Sequence, residues 1–184
     1  MNRLLDREDR WRLAAAVAAM TLVVAASNWL VQFAINDWLT WGAFTYPFAF
    51  LVTDLTNRAY GARRARQVVA VGFVVAVALS FALVEPGFWR IPVASGAAFL
   101  IGQLLDVSVF NRLRRSSWWL APLVSSTLAS VVDTAVFFSG AFAGEELPWI
   151  TWALGDLAVK LAMALLLLAP FRLLMAVYAP LPAR

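Results

Sequence analysis

Residues 155–170 read GDLAVKLAMALLLLAP, and this stretch decides the class of protein to which the chain belongs. Asp156 and Lys160 stand four residues apart, about one helical turn, in a run that is otherwise apolar enough to lie inside a bilayer. Lys160 is the only lysine in the chain. Because a charged side chain that faces lipid costs about 2.5–3.5 kcal/mol on insertion scales, we expect both charges to face a helix bundle or a wet cavity.

Composition extends this interpretation to the whole chain. Of its 184 residues, 62% are hydrophobic, which is more apolar surface than a soluble domain of this length can bury. Cysteine and histidine are absent, which excludes disulfides and thiolate metal sites and removes the commonest metal ligand and near-neutral proton carrier. We therefore expect an all-α integral membrane protein without a metal or a cofactor.

Apolar runs predict six membrane crossings in one domain that covers residues 1–184. Five runs are long enough to span about 30 Å of hydrocarbon. They cover residues 13–34, 68–84, 92–110, 118–142 and 150–169. A sixth run, residues 41–55, contains Pro47 and reaches only about 22 Å at the rise of an α-helix. It either crosses a thinned region of the bilayer or is a broken helix buried among the others.

Arginine placement gives the direction of the crossings. Segments rich in arginine alternate along the chain with segments that carry few basic residues or none; the rich segments are residues 3–12, 58–66 and 112–115. Six crossings with both termini in the cytoplasm satisfy the positive-inside rule at every loop, whereas five would place a loop with four arginines outside. The chain is thus predicted to be a multi-pass protein with the lipid bilayer around it.

In this topology, polar side chains from four helices fall at a similar depth. Asp156 lies roughly 9 Å below the outer face and Lys160 near the midplane, from the rise of a helix. The same layer contains Asp133, Asn28, Gln103 and, one turn above, Gln32. Convergent polar groups between apolar walls are typical of a small-molecule pocket. The structural alternative is that Asp156 and Lys160 only neutralise each other, and that Ser126 and Ser130 only bridge helices.

Two further aspartates form a second polar layer near the cytoplasmic face. Asp54 and Asp106 each end an apolar run, and arginines follow both within a few residues. One interpretation is that these carboxylates make salt bridges that fix the loops at the inner face. The other is that they form an inner gate, or a coupling site that titrates with protons.

At these residues the chain resembles a known family. The segments are SNWLVQ (27–32), TWGAFTYPFAFLVTDLTNRAYGARRAR (40–66), GQLLDVSVFNRLRRSSWWLAPLVSSTLASVVDTAVFF (102–138) and GDLAVK (155–160). They are similar to the queuosine precursor transporters, also called the vitamin uptake transporter family, over about residues 25–160. The resemblance implies import of the nitrile or aminomethyl 7-deazaguanine precursors across the bacterial inner membrane, for tRNA modification. It also implies a six-helix fold similar to the substrate-binding subunits of energy-coupling-factor vitamin transporters.

Carried over by position, the family's motif residues are Asn28, Gln32, Asp54, Gln103, Asp106, Asp133, Asp156 and Lys160. Their chemistry suits a deazaguanine. An ionised carboxylate, Asp133 or Asp156, can accept from the ring N–H and the amino group together, and such charge-assisted pairs are the strong hydrogen bonds. Lys160, Asn28 or Gln32 can donate to the ring carbonyl, and the flat ring can stack on aromatic side chains, for which the candidates are Phe137, Phe44 and Trp152.

Other functions are weaker matches to the sequence. The chain has no phosphate-binding loop of its own, so the alternative is a membrane subunit that binds a vitamin-like heterocycle and needs a separate energising module. An intramembrane aspartyl protease would need a Gly-x-Gly-Asp pattern, which is absent around Asp156, and we expect no catalytic residues. The expected partner is a small molecule, with no direct contact to nucleic acid. The small-xxx-small pattern GAFAG at 140–144 is compatible with a homodimer.

Overall fold

The computed structural model describes residues 7–30, 33–36, 38–85 and 87–178. Within these residues the chain is helical apart from one short hairpin and the turns. In chain order the elements are α1 (Arg7–Leu30), β1 (Ala34–Asn36), β2 (Leu39–Thr40), α2 (Gly42–Thr45), α3 (Phe48–Tyr60), α4 (Ala62–Leu83), α5 (Arg90–Leu113), α6 (Leu120–Phe142), α7 (Trp149–Leu166) and α8 (Leu168–Tyr178).

Five helical stretches of the described chain are long and apolar enough to cross a membrane. They are α1, α4, α5, α6 and the stretch Trp149–Ala176, which combines α7 with most of α8. The prediction of a multi-pass helical membrane protein is thereby confirmed at this level. Several predicted helices were too short at their ends, because Arg63, Arg64 and Arg112 are helical although they are not apolar. Long basic side chains can reach water from the first or last turn of a membrane helix.

The predicted bounds of the first helix, 13–34, were wrong at both ends. The helix includes Arg7 and ends at Leu30, and a two-stranded antiparallel hairpin follows, in which Ala34 pairs with Thr40. Asn36 stabilises the turn, because its Oδ1 accepts hydrogen bonds from the backbone N–H groups of Trp38 at 2.8 Å and Leu39 at 3.0 Å. Asparagine favours such turns over a continued helix.

The short run at 41–55 is a broken helix that extends to Tyr60. The backbone N–H of Tyr46 still bonds to Gly42 O at 3.0 Å, but Pro47 has no N–H, and the α2 hydrogen-bond pattern stops there. α3 then buries an unusual set of polar side chains: Thr53, Asp54, Thr56 and Asn57. Gly61, with φ +83°, makes the sharp turn into α4 that a residue with a Cβ would resist.

The predicted helix 150–169 is also interrupted. α7 ends at Leu166 and α8 begins at Leu168. Pro170 lacks the N–H that a continuous helix would bond to the Leu166 carbonyl, which accounts for the break. After it, α8 packs Phe171 and Met175 into a buried cluster with Phe110. This cluster closes the end of the bundle at which the arginine-rich α5–α6 loop lies.

Among the described residues, α5 and α6 make the most extensive helix–helix contact. A Cβ on Gly102 would lie 3.1 Å from the Asp133 Cβ, and one on Gly140 would lie 3.0 Å from the Ala94 Cβ. Small residues allow membrane helices to approach in this way. Gly140, which belongs to the pattern that suggested a dimer, is exposed on one side and approaches Ala94 of its own chain on the other. The main apolar core joins α1, α3, α4 and α5 around Met20 and Phe99.

Candidate functional site

Lys160 stands at the centre of a buried network of charged and polar side chains. Its Nζ lies 2.7 Å from Asp133 Oδ2 and 2.5 Å from Asp156 Oδ2, and it donates to Thr134 Oγ1 at 3.2 Å. Thr134 in turn donates to Asp156 Oδ2 at 2.8 Å. We call these residues, together with Tyr46, the Lys160 network.

Three elements bring the network together. Asp156 and Lys160 share one face of α7 because they are four residues apart. Consecutive residues of α6, Asp133 and Thr134, supply one oxygen each to Lys160. Tyr46, between α2 and α3, donates its hydroxyl to Asp133 Oδ1 at 2.8 Å, and its ring centroid lies 5.1 Å from Lys160 Nζ. The break before Pro47 therefore aims this tyrosine into the bundle.

Burial and charge make this network unusual for an apolar bundle. The side chains of Lys160 and Asp133 are each 5% exposed, and that of Asp156 is 17% exposed. With two carboxylates and one ammonium, the ionised network carries a formal charge of −1. A buried ion pair is weak evidence for stability, because the desolvation of each ion offsets much of the attraction. In a membrane helix such residues indicate a functional site by default.

A cleft opens beside Lys160 and runs toward the arginine-rich α5–α6 loop. Its cavity volume is about 20 Å³, which is room for about one water molecule, and part of the cleft is open to the surface. Its walls are mainly apolar and come from α3, α6, α7 and α8; the lining residues are Pro47, Phe50, Leu51, Pro122, Ala164, Leu167, Leu168 and Phe171. The polar groups that reach the cleft are Lys160, Asp54, Ser126 and Ser130. Asp133 and Asp156 do not line it and lie behind Lys160.

Asp54 and Asp106 form a second polar cluster at the α3–α5–α6 junction. Both are buried, with 2% and 0% of their surface exposed, on the α3–α5 interface that the Thr53–Gln103 and Asn57–Val107 hydrogen bonds hold together. Ser125 and Ser126 donate to the two oxygens of Asp54, each at 3.4 Å. The interpretation of inner-face salt bridges is wrong for the described residues, because neither aspartate pairs with a base among them. The nearby Arg58 and Arg114 instead donate to each other's backbone carbonyl.

The predicted amides are not part of the Lys160 network. Asn28 donates to Val24 O at 3.0 Å and accepts from Ser80 Oγ at 2.8 Å, so it links α1 to α4. Gln103 accepts from Thr53 Oγ1 at 2.6 Å and links α5 to α3. Gln32, the third predicted amide, lies outside the described residues.

The predicted aromatic residues lie away from the cleft. Trp152 packs edge-on against Phe142, at 5.8 Å between ring centroids, and Phe142 packs against Phe137 at 6.1 Å. These rings form a cluster where α6 ends and α7 begins. Phe44 is 36% exposed and packs beside Trp41. Among the described residues, the aromatic rings that line the cleft are Phe50 and Phe171.

Sequence reasoning missed Thr134 and Tyr46. A hydroxyl directly beside Asp133, and a tyrosine directly before the proline of a short span, were the available signals. Sequence reasoning also missed the structural role of Gly155, where a Cβ would lie 3.2 Å from Trp38 O. The absent side chain lets the hairpin lie against α7 one residue before Asp156.

A multi-helix membrane bundle with an ion network beside an apolar cleft has the features of a protein that handles a small polar molecule inside the bilayer. Comparison with known proteins specifies the family. The family model described as "Putative vitamin uptake transporter" matches residues 40–175. The chain therefore belongs to this family, and the resemblance found in the sequence is confirmed.

Curated relatives agree. The chain is 40% identical to the "Probable queuosine precursor transporter" of Haemophilus influenzae, over 80% of this chain and 79% of the relative. It is 38% identical to the "Queuosine precursor transporter" of Escherichia coli K12, over 81% and 79% of the two chains. A "Probable queuosine precursor transporter" of Bacillus subtilis is 30% identical, over 69% and 67%. No solved structure matches the chain.

Proposed function

We propose that this protein imports queuosine precursors, 7-cyano- or 7-aminomethyl-7-deazaguanine, across the bacterial inner membrane for tRNA modification. The observation that carries the proposal is Lys160, a buried cation held by two aspartates at the side of an apolar cleft, in a chain 38–40% identical to two proteins named for this transport. The protein acts by binding and moving its substrate and performs no chemical reaction on it.

In this proposal the ligand replaces part of the Lys160 network. Lys160 lines the cleft and can donate to the ring carbonyl of a deazaguanine. Asp156 is the better candidate for the donor edge of the base, because its described partners all contact Oδ2 and its side chain is the more exposed. Both oxygens of Asp133 are already used, by Tyr46 and by Lys160, so Asp133 holds Lys160 in position.

The other predicted residues have supporting roles in the proposal. Phe50 and Leu51 of the cleft wall contact the faces of the ring. Phe137, Phe44 and Trp152 lie toward the opposite end of the bundle, where a ligand would enter from outside. Asn28 and Gln103 position α1, α3, α4 and α5 around the site through their contacts with Ser80 and Thr53. Asp54 and Asp106 form the inner gate or coupling site.

The proposed topology has six crossings, with α2 and α3 together as the second, and both termini in the cytoplasm. Two links support it. The reciprocal bonds of Arg58 and Arg114 hold the arginine-rich α3–α4 and α5–α6 loops on one side. At the other side Arg90 pairs with Glu145 at 3.1 Å, which joins the α4–α5 and α6–α7 loops. The similarity to substrate-binding subunits of energy-coupling-factor transporters stays a prediction.

The test is uptake by cells that can neither make nor import the precursors. Cells that express this protein and receive 7-cyano-7-deazaguanine should contain queuosine in their tRNA, whereas cells with Asp156→Asn should not. Glu145→Gln is the matched control, because it removes a half-exposed carboxylate far from the site. Queuosine-free tRNA in cells that express the wild-type protein at normal levels would contradict the proposal.

A second measurement separates a complete importer from a binding subunit that needs an energising module. Purified protein in liposomes should exchange labelled precursor with no other chain present. Binding without any exchange would favour the subunit.

A further inference from the structure

We propose that Asp54 and Asp106 together bind one proton and that this proton travels with the substrate, which makes the protein a proton-coupled importer. The inference rests on the proposed function and deepens it, because it assigns the ligand of the second polar cluster and the source of energy for uptake.

The first observation is the uncompensated charge of the pair. Asp54 and Asp106 are 2% and 0% exposed and lie at one level of the α3–α5 interface, between the Thr53–Gln103 and Asn57–Val107 hydrogen bonds. Burial of an ion carries a large desolvation penalty, and two like charges that share a site repel each other in addition. A proton held between the two carboxyl groups removes one charge and supplies a hydrogen bond, so the burial becomes tolerable.

Charged groups on the surrounding elements do not supply that compensation. Ser125 and Ser126 of α6 face the pair with neutral hydroxyls. The described charged groups nearby are engaged elsewhere: Lys160 with Asp133 and Asp156, Arg58 with the Arg114 carbonyl, Arg64 with Gln67, Arg12 with Glu8, and Arg172 over the Trp118 ring. Arg63, Arg66 and Arg112 are exposed.

The second observation is a set of buried side-chain polar atoms that have no hydrogen-bond partner among the described residues. Neither oxygen of Asp106 has a hydrogen-bond donor among the described residues. On the same α3–α5 interface, Asn57 Oδ1 and Gln103 Nε2 are also buried without a partner there. Asn57 and Gln103 each stand three residues, about one helical turn, from one of the aspartates. Buried polar atoms are normally satisfied, and a proton shared with Asp54 supplies Asp106 with a hydrogen bond that the described residues do not.

The third observation is access. Asp54 and Ser126 line the same cleft as Lys160. A proton released from the pair therefore enters the compartment that the substrate occupies, and a substrate in the cleft lies between the two clusters. Charge on one cluster then changes the free energy of binding at the other, which is the coupling that co-transport needs.

The geometry favours a proton over a metal cation. Hard metal ions take about six to eight oxygen ligands. No group of three or more acidic, histidine or cysteine side chains that could hold a metal occurs among the described residues. Two carboxyl groups can share a proton without any further ligand.

The experiment uses the full-length protein in liposomes with the membrane potential clamped at zero and labelled 7-cyano-7-deazaguanine as the probe. With one proton per substrate, an inward gradient of one pH unit should drive about tenfold accumulation inside. The double variant Asp54→Asn, Asp106→Asn should exchange the probe at equilibrium but should not accumulate it. Glu145→Gln should behave as wild type.

Exchange without gradient-driven accumulation in the wild type would overturn the proposal, and so would accumulation driven by a sodium gradient at equal pH. An infrared measurement needs no transport. The wild type at neutral pH should show a protonated-carboxyl stretching band that shifts in D2O, and the double variant or Asp54→Asn should lose or shift it. Absence of the band in the wild type, or a band unchanged in the variants, overturns the proton site. Failure of the proposed function has a different signature, namely a wild-type protein that exchanges no precursor.

Discussion

Lys160 Nζ contacts oxygen atoms of three side chains. These contacts explain how a single lysine can be accommodated in the middle of an apolar bundle. Asp133 and Asp156 neutralise it, and Thr134 connects the two helices that carry them. Each partner has a different part in the network. Asp133 bonds through both of its oxygens, whereas Asp156 bonds through Oδ2 alone among the described residues and is the more exposed of the two.

Thr134 provides the first test at this scale. Thr134→Val keeps the shape of the side chain and removes the hydroxyl that donates to Asp156 and accepts from Lys160. A hydrogen bond to a charged group contributes about 1.5–3 kcal/mol, so we expect precursor affinity to fall by about tenfold or more. Binding of labelled precursor to purified protein measures this. Ser139→Ala is the control, because among the described residues the Ser139 hydroxyl bonds only to carbonyls of its own helix, and its loss should leave affinity unchanged.

Charge balance provides the second test. Lys160→Met leaves two buried carboxylates without their shared ammonium, and the loss of one partner of a buried pair costs about 3–5 kcal/mol. We expect a lower thermal unfolding midpoint and no uptake. Addition of Asp133→Asn and Asp156→Asn removes the excess charge, so the triple variant should recover stability but not uptake. Uptake by the triple variant would show that the ligand binds elsewhere.

At the scale of the elements, two features position the network: the break at Pro47, which aims Tyr46 inward, and the close approach of α5 and α6. Gly102 lies opposite Asp133, and a Cβ there would meet the Asp133 Cβ at 3.1 Å. The spacing between these helices therefore sets the position of the aspartate.

Gly102→Val should push α5 away from Asp133 and lengthen the Asp133–Lys160 contact. Overpacking typically destabilises by about 1–3 kcal/mol, and we expect precursor affinity to fall together with the unfolding midpoint. Ala158→Val adds methyl groups at an exposed position of α7 and should change neither. A Gly102→Val protein with unchanged affinity would contradict the idea that this approach positions the site.

The sequence predicted which elements exist better than it predicted how they are joined. Apolar runs and arginines located the helices, and helical rise predicted that Lys160, Asp133 and Asp156 lie at one level, where they are in contact. Rotation of a helix about its axis is not encoded in a local pattern, because it depends on which neighbour the helix packs against. Asn28 shares the expected depth but bonds to Ser80, since α1 packs on α4. For the same reason the sequence did not predict that Tyr46 joins the Lys160 network, because the direction of its side chain depends on the helix break at Pro47.

At the scale of the whole molecule, charged residues connect loops of the same side. Arg58 and Arg114 bond to each other's backbone, and Arg90 bonds to Gly140 O, Ala143 O and Glu145 at the other side. The alternation of sides along the chain is what six crossings require, so the topology can be tested independently of transport.

Because the chain has no cysteine, an introduced cysteine is a unique label. Leu147→Cys, in the exposed α6–α7 loop, should react with an impermeant maleimide in intact spheroplasts. Arg115→Cys, in the exposed α5–α6 loop, should react only after the membrane is permeabilised. Labelling in the reverse order would show that the orientation is the opposite of the proposed one. A single helix, α6, lies between the two loops. Equal labelling of both positions in intact spheroplasts would therefore contradict the proposal that α6 crosses the membrane.

The mutual pairing of Lys160 with its two aspartates has a consequence for the resting cell. Between transport cycles, an unpaired ion in the middle of the bundle would attract a chain of water molecules. Small ions could leak along this chain and dissipate the ion gradients across the membrane. Because Lys160 is already paired with Asp133 and Asp156, it does not attract such a chain of water molecules when the transporter is empty. In the proposed mechanism, the contacts that yield to the precursor also seal the membrane while no precursor is bound.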